Sequence, residues 1–161
     1  MKRLKRMVWS AMALGLMAVV GCDLPPQPGK YTGGGHFASV VPGKKATFGF
    51  NLQAIDRNGD GLVDEVKGQL QFNDHGTGVA IHGEVTGQQF NPATGVMEFV
   101  GTYNPVGRGA GGTFAVQAVD NGEGGPSAGD SFSVSLQGGE YGGYANSGVL
   151  DGGNIQYKPG K

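Results

Sequence analysis

From residue 46 onward, apolar and polar residues alternate with period two rather than about 3.6, the mark of half-buried strands rather than amphipathic helices. In ATFGFNLQA the inward set is Phe48, Phe50, Leu52 and Ala54; in EVKGQLQF it is Val66, Gly68, Leu70 and Phe72. GVAIHGEV contributes Val79, Ile81, Gly83 and Val85, and GVMEFVGTY contributes Met97, Phe99, Gly101 and Tyr103. TFAVQAV and SFSVSLQ continue the pattern with Phe114, Val116, Ala118 and with Phe132, Val134, Leu136. HFASVV and GNIQY add a strand near each end, so the expectation is an all-β domain of about eight short antiparallel strands. Gly, Asn and Pro turns between them predict a sandwich or a partly closed barrel. The alternate positions Gln69, Gln71, His82, Glu84, Ser131, Ser133 and Ser135 predict a solvated outer face.

Between the first two clear strands stands DRNGDGLVDE, Asp56 to Glu65. Asn58-Gly59 is a strong signal for a two-residue type I′ hairpin turn. That turn would pair Arg57 with Asp60, place Phe50 opposite Lys67, and send the two apolar sets to opposite faces. Pairing Ala54 with Val66, Phe50 with Leu70 and Phe48 with Phe72 keeps both sets on one face and requires a loop over 56–64. A bulge would rescue the tight turn, so both readings stand at this level. In the longer loop, Asp56, Asn58 and Asp60 alternate like positions 1, 3 and 5 of a calcium loop. Gly61 stands at the sharp turn, the Leu62 carbonyl at position 7 and Asp64 at position 9. Lys67 occupies the place of the closing bidentate glutamate, and the flanks have strand periodicity, so this is not an EF-hand. It is similar to the DxDxDGxxD loops of extracellular calcium proteins. Hard oxygen donors select calcium as the expected cofactor, in a structural role and at ~10⁻⁴–10⁻³ M affinity. The alternative is a polar loop without metal.

The first residues change the picture. Lys2, Arg3, Lys5 and Arg6 precede an apolar run from Met7 to Val20, too short to span a bilayer but suited to a signal peptide. The run ends in Val19-Val20-Gly21-Cys22, which resembles the lipobox of bacterial lipoproteins. The resemblance implies cleavage after Gly21, lipid on Cys22, and a chain anchored to a membrane and facing out of the cytoplasm, in the periplasm or at the cell surface. Asp23 resembles an inner-membrane retention signal. Cys22 is the only cysteine, so no disulfide is available to the rest of the chain. Three segments follow: a signal peptide over 1–21, a lipidated cysteine and Pro/Gly tether over 22–35, and a β-domain over 36–161. Loss of the four early basic residues leaves 12 − 4 = 8 Lys plus Arg against 13 Asp plus Glu, a net charge of 8 − 13 = −5. Such a chain is not built for nucleic acid. The expected partners are the membrane through its anchor, and an envelope glycan or another envelope protein.

Other candidate chemistry is sparse. Asp120, Glu123 and Asp130 in DNGEGGPSAGD form a second loop that could hold an ion or simply turn the chain. Tyr141 and Tyr144 in GGEYGGYANSG are a candidate aromatic platform for sugar rings, or covers for the core edge. His75, His82 and Glu84 lack metal-site spacing, GRGAGG lacks the Lys-Ser/Thr of a phosphate loop, and no GxSxG elbow occurs. No catalytic motif is found, so a binding or structural module of the envelope is expected rather than an enzyme. A polysaccharide hydrolase would have only Glu84 and Glu98 as its paired carboxylates. The third reading is calcium-dependent carbohydrate binding.

TGGGHFASV, ATFGFNLQA, GQLQFNDHGTG, AVDNGEGG, DSFSVSL and GVLDGGNIQY, in that order, resemble the post-COAP family of secreted bacterial and archaeal β-domains. The Asp74-His75 pair and Asp120 to Glu123 are part of that series. The resemblance implies an extracytoplasmic β module with no catalytic residues to assign.

Overall fold

A computed structural model describes residues 26–122 and 129–160. It contains nine strands: β1 (Gly29–Ala38), β2 (Lys45–Ile55), β3 (Glu65–Asp74), β4 (Val79–Asn91), β5 (Val96–Pro105), β6 (Gly112–Val119), β7 (Ser131–Gln137), β8 (Ala145–Val149) and β9 (Gly152–Pro159). All pairings are antiparallel, in one curled sheet of order β8-β7-β6-β5-β4-β3-β2-β1-β9. The all-β, partly closed barrel expected from the alternation is the observed architecture.

Inward positions make one core. Phe48 on β2 stacks on Phe132 on β7, ring centroids 3.9 Å apart, and Phe37 and Phe72 close around the pair. These contacts join strands that lie far apart in the sheet order, so the sheet must curl for its inner face to be buried. Its two edges, β8 and β9, are separated in sequence by only Leu150 and Asp151. The last segment of chain therefore pairs with β7 and then with β1, drawing the edges together. At this seam Leu150 is buried, its N–H donates to the Asp130 carbonyl, and the Asp151 N–H donates to the His36 carbonyl.

Two expectations are corrected here. Residues 29–35, read as tether, are the first part of β1, so the domain begins near Gln27 rather than at residue 36. The triple glycine there is a crowding requirement. A Cβ on Gly33 would overlap the Phe50 ring, and one on Gly35 would overlap the Gly152 carbonyl oxygen. The eighth strand, Ala145–Val149, is additional to the expected set. It shows no apolar alternation because it crosses over Phe37, where a Cβ on Gly148 would come within 2.9 Å of the ring.

Inward glycines also shape the sheet between β1 and β5. Gly83 on β4 lies under the Phe114 ring, which a Cβ would approach to 2.6 Å, and a Cβ on Gly101 of β5 would overlap the Glu84 carbonyl oxygen. Gly68 on β3 is pressed likewise against the β2 backbone. Without side chains to hold it off the core, the sheet dips inward at these positions, and its outer surface becomes concave. Gly49 on β2, by contrast, faces open space. In urea unfolding, Gly101→Ala is expected to cost about 1–3 kcal/mol through overpacking. Gly49→Ala should be neutral or stabilising by about 0.5 kcal/mol, since it only restricts the unfolded chain.

Candidate functional site

Above that dip lies a groove of about 840 Å³, open to solvent and lined by outward residues of β1 to β5. Of the apolar residues that reach it, Leu52, Leu70 and Val85 are turned inward and buried, and Val66 is half-buried. Its lining surface is polar and apolar in nearly equal measure, and the register arranges the outward polar side chains in rows across the strands. One row runs Thr32–Asn51–Gln69–Glu84–Thr102. Beside it run Gln71–His82–Asn104 on one flank and Lys30–Gln53–Lys67 on the other. All are exposed. Lys67 is the one engaged in an ion pair, with Glu65 at 2.9 Å. Alternation had placed Gln69, Gln71, His82 and Glu84 on this face without revealing its concavity. The signal that would have shown it is the run of inward glycines on adjacent strands.

The β2–β3 connection takes the longer loop: Ala54 pairs with Val66, Phe50 with Leu70 and Phe48 with Phe72, leaving residues 56–64 outside the ladder. Within it, Asp56 accepts the N–H groups of Asn58 (3.2 Å), Gly59 (2.6 Å) and Gly61 (2.8 Å). Asp60 accepts the Leu62 N–H at 2.8 Å, Asn58 the Asp60 N–H at 3.0 Å, and Asp64 the Arg57 N–H at 2.7 Å. These bonds to the charged form, the Gly61 N–H first among them, hold the Asp56 carboxyl below its ordinary pKa. Arg57 and Lys67 pair with Glu65 at the loop's base, and Lys67 above all lowers the Glu65 carboxyl. The five predicted calcium ligands thus share one turn. As arranged, their carboxylates cap the loop's own amides, and among the described residues no three acidic, His or Cys side chains gather at one point. The donor chemistry suits a hard cation, because a carboxylate that accepts one N–H keeps further lone pairs free.

The other candidates have structural duties. Asp130 is buried and accepts the N–H of Asn121 at 2.9 Å and of Ile155 at 2.8 Å, fixing the seam. Asp120 accepts the Gly122 N–H at 2.9 Å. The two serve backbone groups, and Glu123, like Cys22, lies outside the described residues. Tyr141 and Tyr144 do not form an exposed platform. Both are half-buried, Tyr141 stacked on Tyr103 at 6.4 Å and Tyr144 against Phe72 at 5.7 Å. Glu84 lies opposite Thr102, four positions from Glu98 along β5. That places the two backbone positions roughly 13 Å apart along the strand, and Glu98 is not among the residues that line the groove.

No family model, curated protein or solved structure matches the chain.

One polar residue noted in the sequence only within the Asp74-His75 pair, Asp74, is fully buried. It accepts the Ser39 hydroxyl and the Gly76 N–H (2.8 Å) on one oxygen, and the Tyr144 hydroxyl (2.7 Å) on the other. Burial opposes the charge, but these donors together with the Thr77 N–H outweigh it and lower the Asp74 carboxyl below 3.8. Tyr144 is pushed upward by burial and by the neighbouring carboxylate. Three connections far apart in sequence, β1–β2, β3–β4 and β7–β8, are thereby tied to one carboxylate. Tyr144→Phe is expected to cost about 2 kcal/mol, as for loss of a hydrogen bond to a charged acceptor. Because the folded-state pKa lies below the unfolded one, the stability from Asp74 is complete above pH ~4 and is lost as pH falls through the folded value. The stability gap between the native chain and Asp74→Asn should therefore shrink only below that pH, as followed by denaturant titrations along an acid series.

Proposed function

We propose that this protein is a lipid-anchored, extracytoplasmic binding module of a bacterial envelope, which holds its ligand in the polar groove over β1 to β5. The groove is the observation that carries the reading. A concave surface with many converging donors and acceptors is the form a ligand site takes, and its buried apolar floor gives it a fixed shape. The address rests on the basic n-region, the apolar run and Val-Val-Gly-Cys22, and the resemblance to secreted β modules rests on the FGF to GGNIQ series. Purified envelope polysaccharide should retain the chain on a column, and Asn51→Ala with Gln69→Ala should release it several-fold earlier. Equal retention of the variant would remove the groove from the account. Cys22→Ser should abolish fatty-acid labelling and move the chain to the soluble fraction.

The loop over 56–64 serves this module as a structural cap, and calcium is its expected ion. Asp56, Asn58, Asp60 and Asp64 supply side-chain oxygen and Leu62 a carbonyl, so binding would lock the β2–β3 connection beside the groove. Calcium at millimolar concentration should raise the thermal midpoint relative to chelator, and Asp60→Ala should erase the gain. Coincident curves would leave a turn ordered by its own amide caps alone.

A further inference from the structure

We infer that the ligand of the groove is a neutral, extended polysaccharide, lying across the strands rather than along them. The inference rests on the groove being the ligand site and goes further by fixing the ligand's chemistry and direction. Three observations carry it.

The first is the chemistry of the central row. Thr32, Asn51, Gln69, Glu84 and Thr102 come from five neighbouring strands; all are exposed, and none of their side chains hydrogen-bonds to another described residue. Each amide presents both donor and acceptor, and each hydroxyl does the same. That dual character matches the hydroxyls of a sugar, which also donate and accept. It is a poor match for a fatty chain or an apolar peptide, which would find no exposed apolar side chain lining the groove other than the half-buried Val66.

The second is charge. Lys67 shares the Glu65 carboxylate with Arg57, so the groove carries two separated lysines, Lys30 and Lys67, in its flanking row and Glu84 in its central row. A polyanion would meet Glu84 near the middle of its path, with no cluster of cations to compensate. The groove favours neither a phosphate-rich nor a strongly acidic polymer.

The third is spacing. Adjacent strands lie ~4.8 Å apart, so the five residues of the row recur at that interval over ~19 Å. The interval is close to the length of one pyranose unit in an extended β-linked chain. A ligand laid across the strands therefore meets an equivalent polar side chain at each sugar. Along a strand, outward residues recur only at every second position, ~6.6 Å apart, which is out of step with a sugar repeat.

The test is isothermal titration of the full chain, held in a detergent without a sugar headgroup, with β-1,4-linked glucose and N-acetylglucosamine oligomers of increasing length. Affinity should rise with each unit and level off at about four or five, the number the row can meet. Gln69→Ala should weaken the longer oligomers about threefold to tenfold, while Ser133→Ala, on β7 away from the groove, should change nothing. Affinity that does not depend on length, or that Gln69→Ala leaves intact, overturns the inference. A sulfated oligosaccharide is titrated in parallel. If it alone binds, and Gln69→Ala weakens it, the groove remains the ligand site but its ligand is not neutral. If neither series binds, the inference fails, and the column assay with whole polysaccharide decides separately whether the groove is a site at all.

Discussion

A sheet of antiparallel strands has two open edges, and this domain depends on bringing them together. No helix covers either edge among the described residues, and unpaired edge strands invite association with other chains. The last segment draws the two edges near each other without pairing them: it leaves β7 as β8 and joins β1 as β9 after only Leu150 and Asp151. The cost is crowding where backbones meet. Glycine at 35, 148, 152 and 153 answers it, since a Cβ at any of these would strike a neighbouring backbone or ring. The return is a closed core in which Phe48 and Phe132, on strands distant in the sheet order, lie face to face.

With a single cysteine in the chain, the fold has no disulfide within it, and two buried carboxylates take on part of that work. Asp74 ties three connections at one end of the strands; Asp130 ties the seam at the other. Among the described residues neither pairs with a cation. Each is held by several N–H or O–H donors, which stabilise a buried charge without a partner ion. Asp56 uses the same chemistry at the surface, where it orders only its own loop. The difference is reach: a buried acceptor collects donors from distant segments, and an exposed one collects its neighbours.

The groove follows from the same closure. Curling a sheet tightly around aromatic rings requires some inward positions to carry no side chain, and Gly68, Gly83 and Gly101 are those positions. The backbone sinks where they stand, and the outward polar residues around the depression turn from a convex surface into a lined channel. Fold and candidate binding site thus share a cause, so a change that fills the inner face would alter both.

The sequence by itself determined which face each strand buries, because alternation is a local property set by the pleat. It offered the β2–β3 register with the long loop beside a bulged tight turn, and the ladder takes the pairing that keeps Phe48, Phe50, Leu70 and Phe72 together. It marked the inward glycines without saying what they were for. Tertiary structure decided what depends on residues distant in sequence. It made Gly29 to Gly35 a strand, because β2 and β9 are there to pair with it. It turned Tyr141 and Tyr144 inward, because Tyr103 and Phe72 are beneath them. It buried Asp74 by bringing Ser39 and Tyr144 to it, and it set Thr32, Asn51, Gln69, Glu84 and Thr102 in line. Side-chain direction is written every two residues; which strands become neighbours is settled only when the sheet closes.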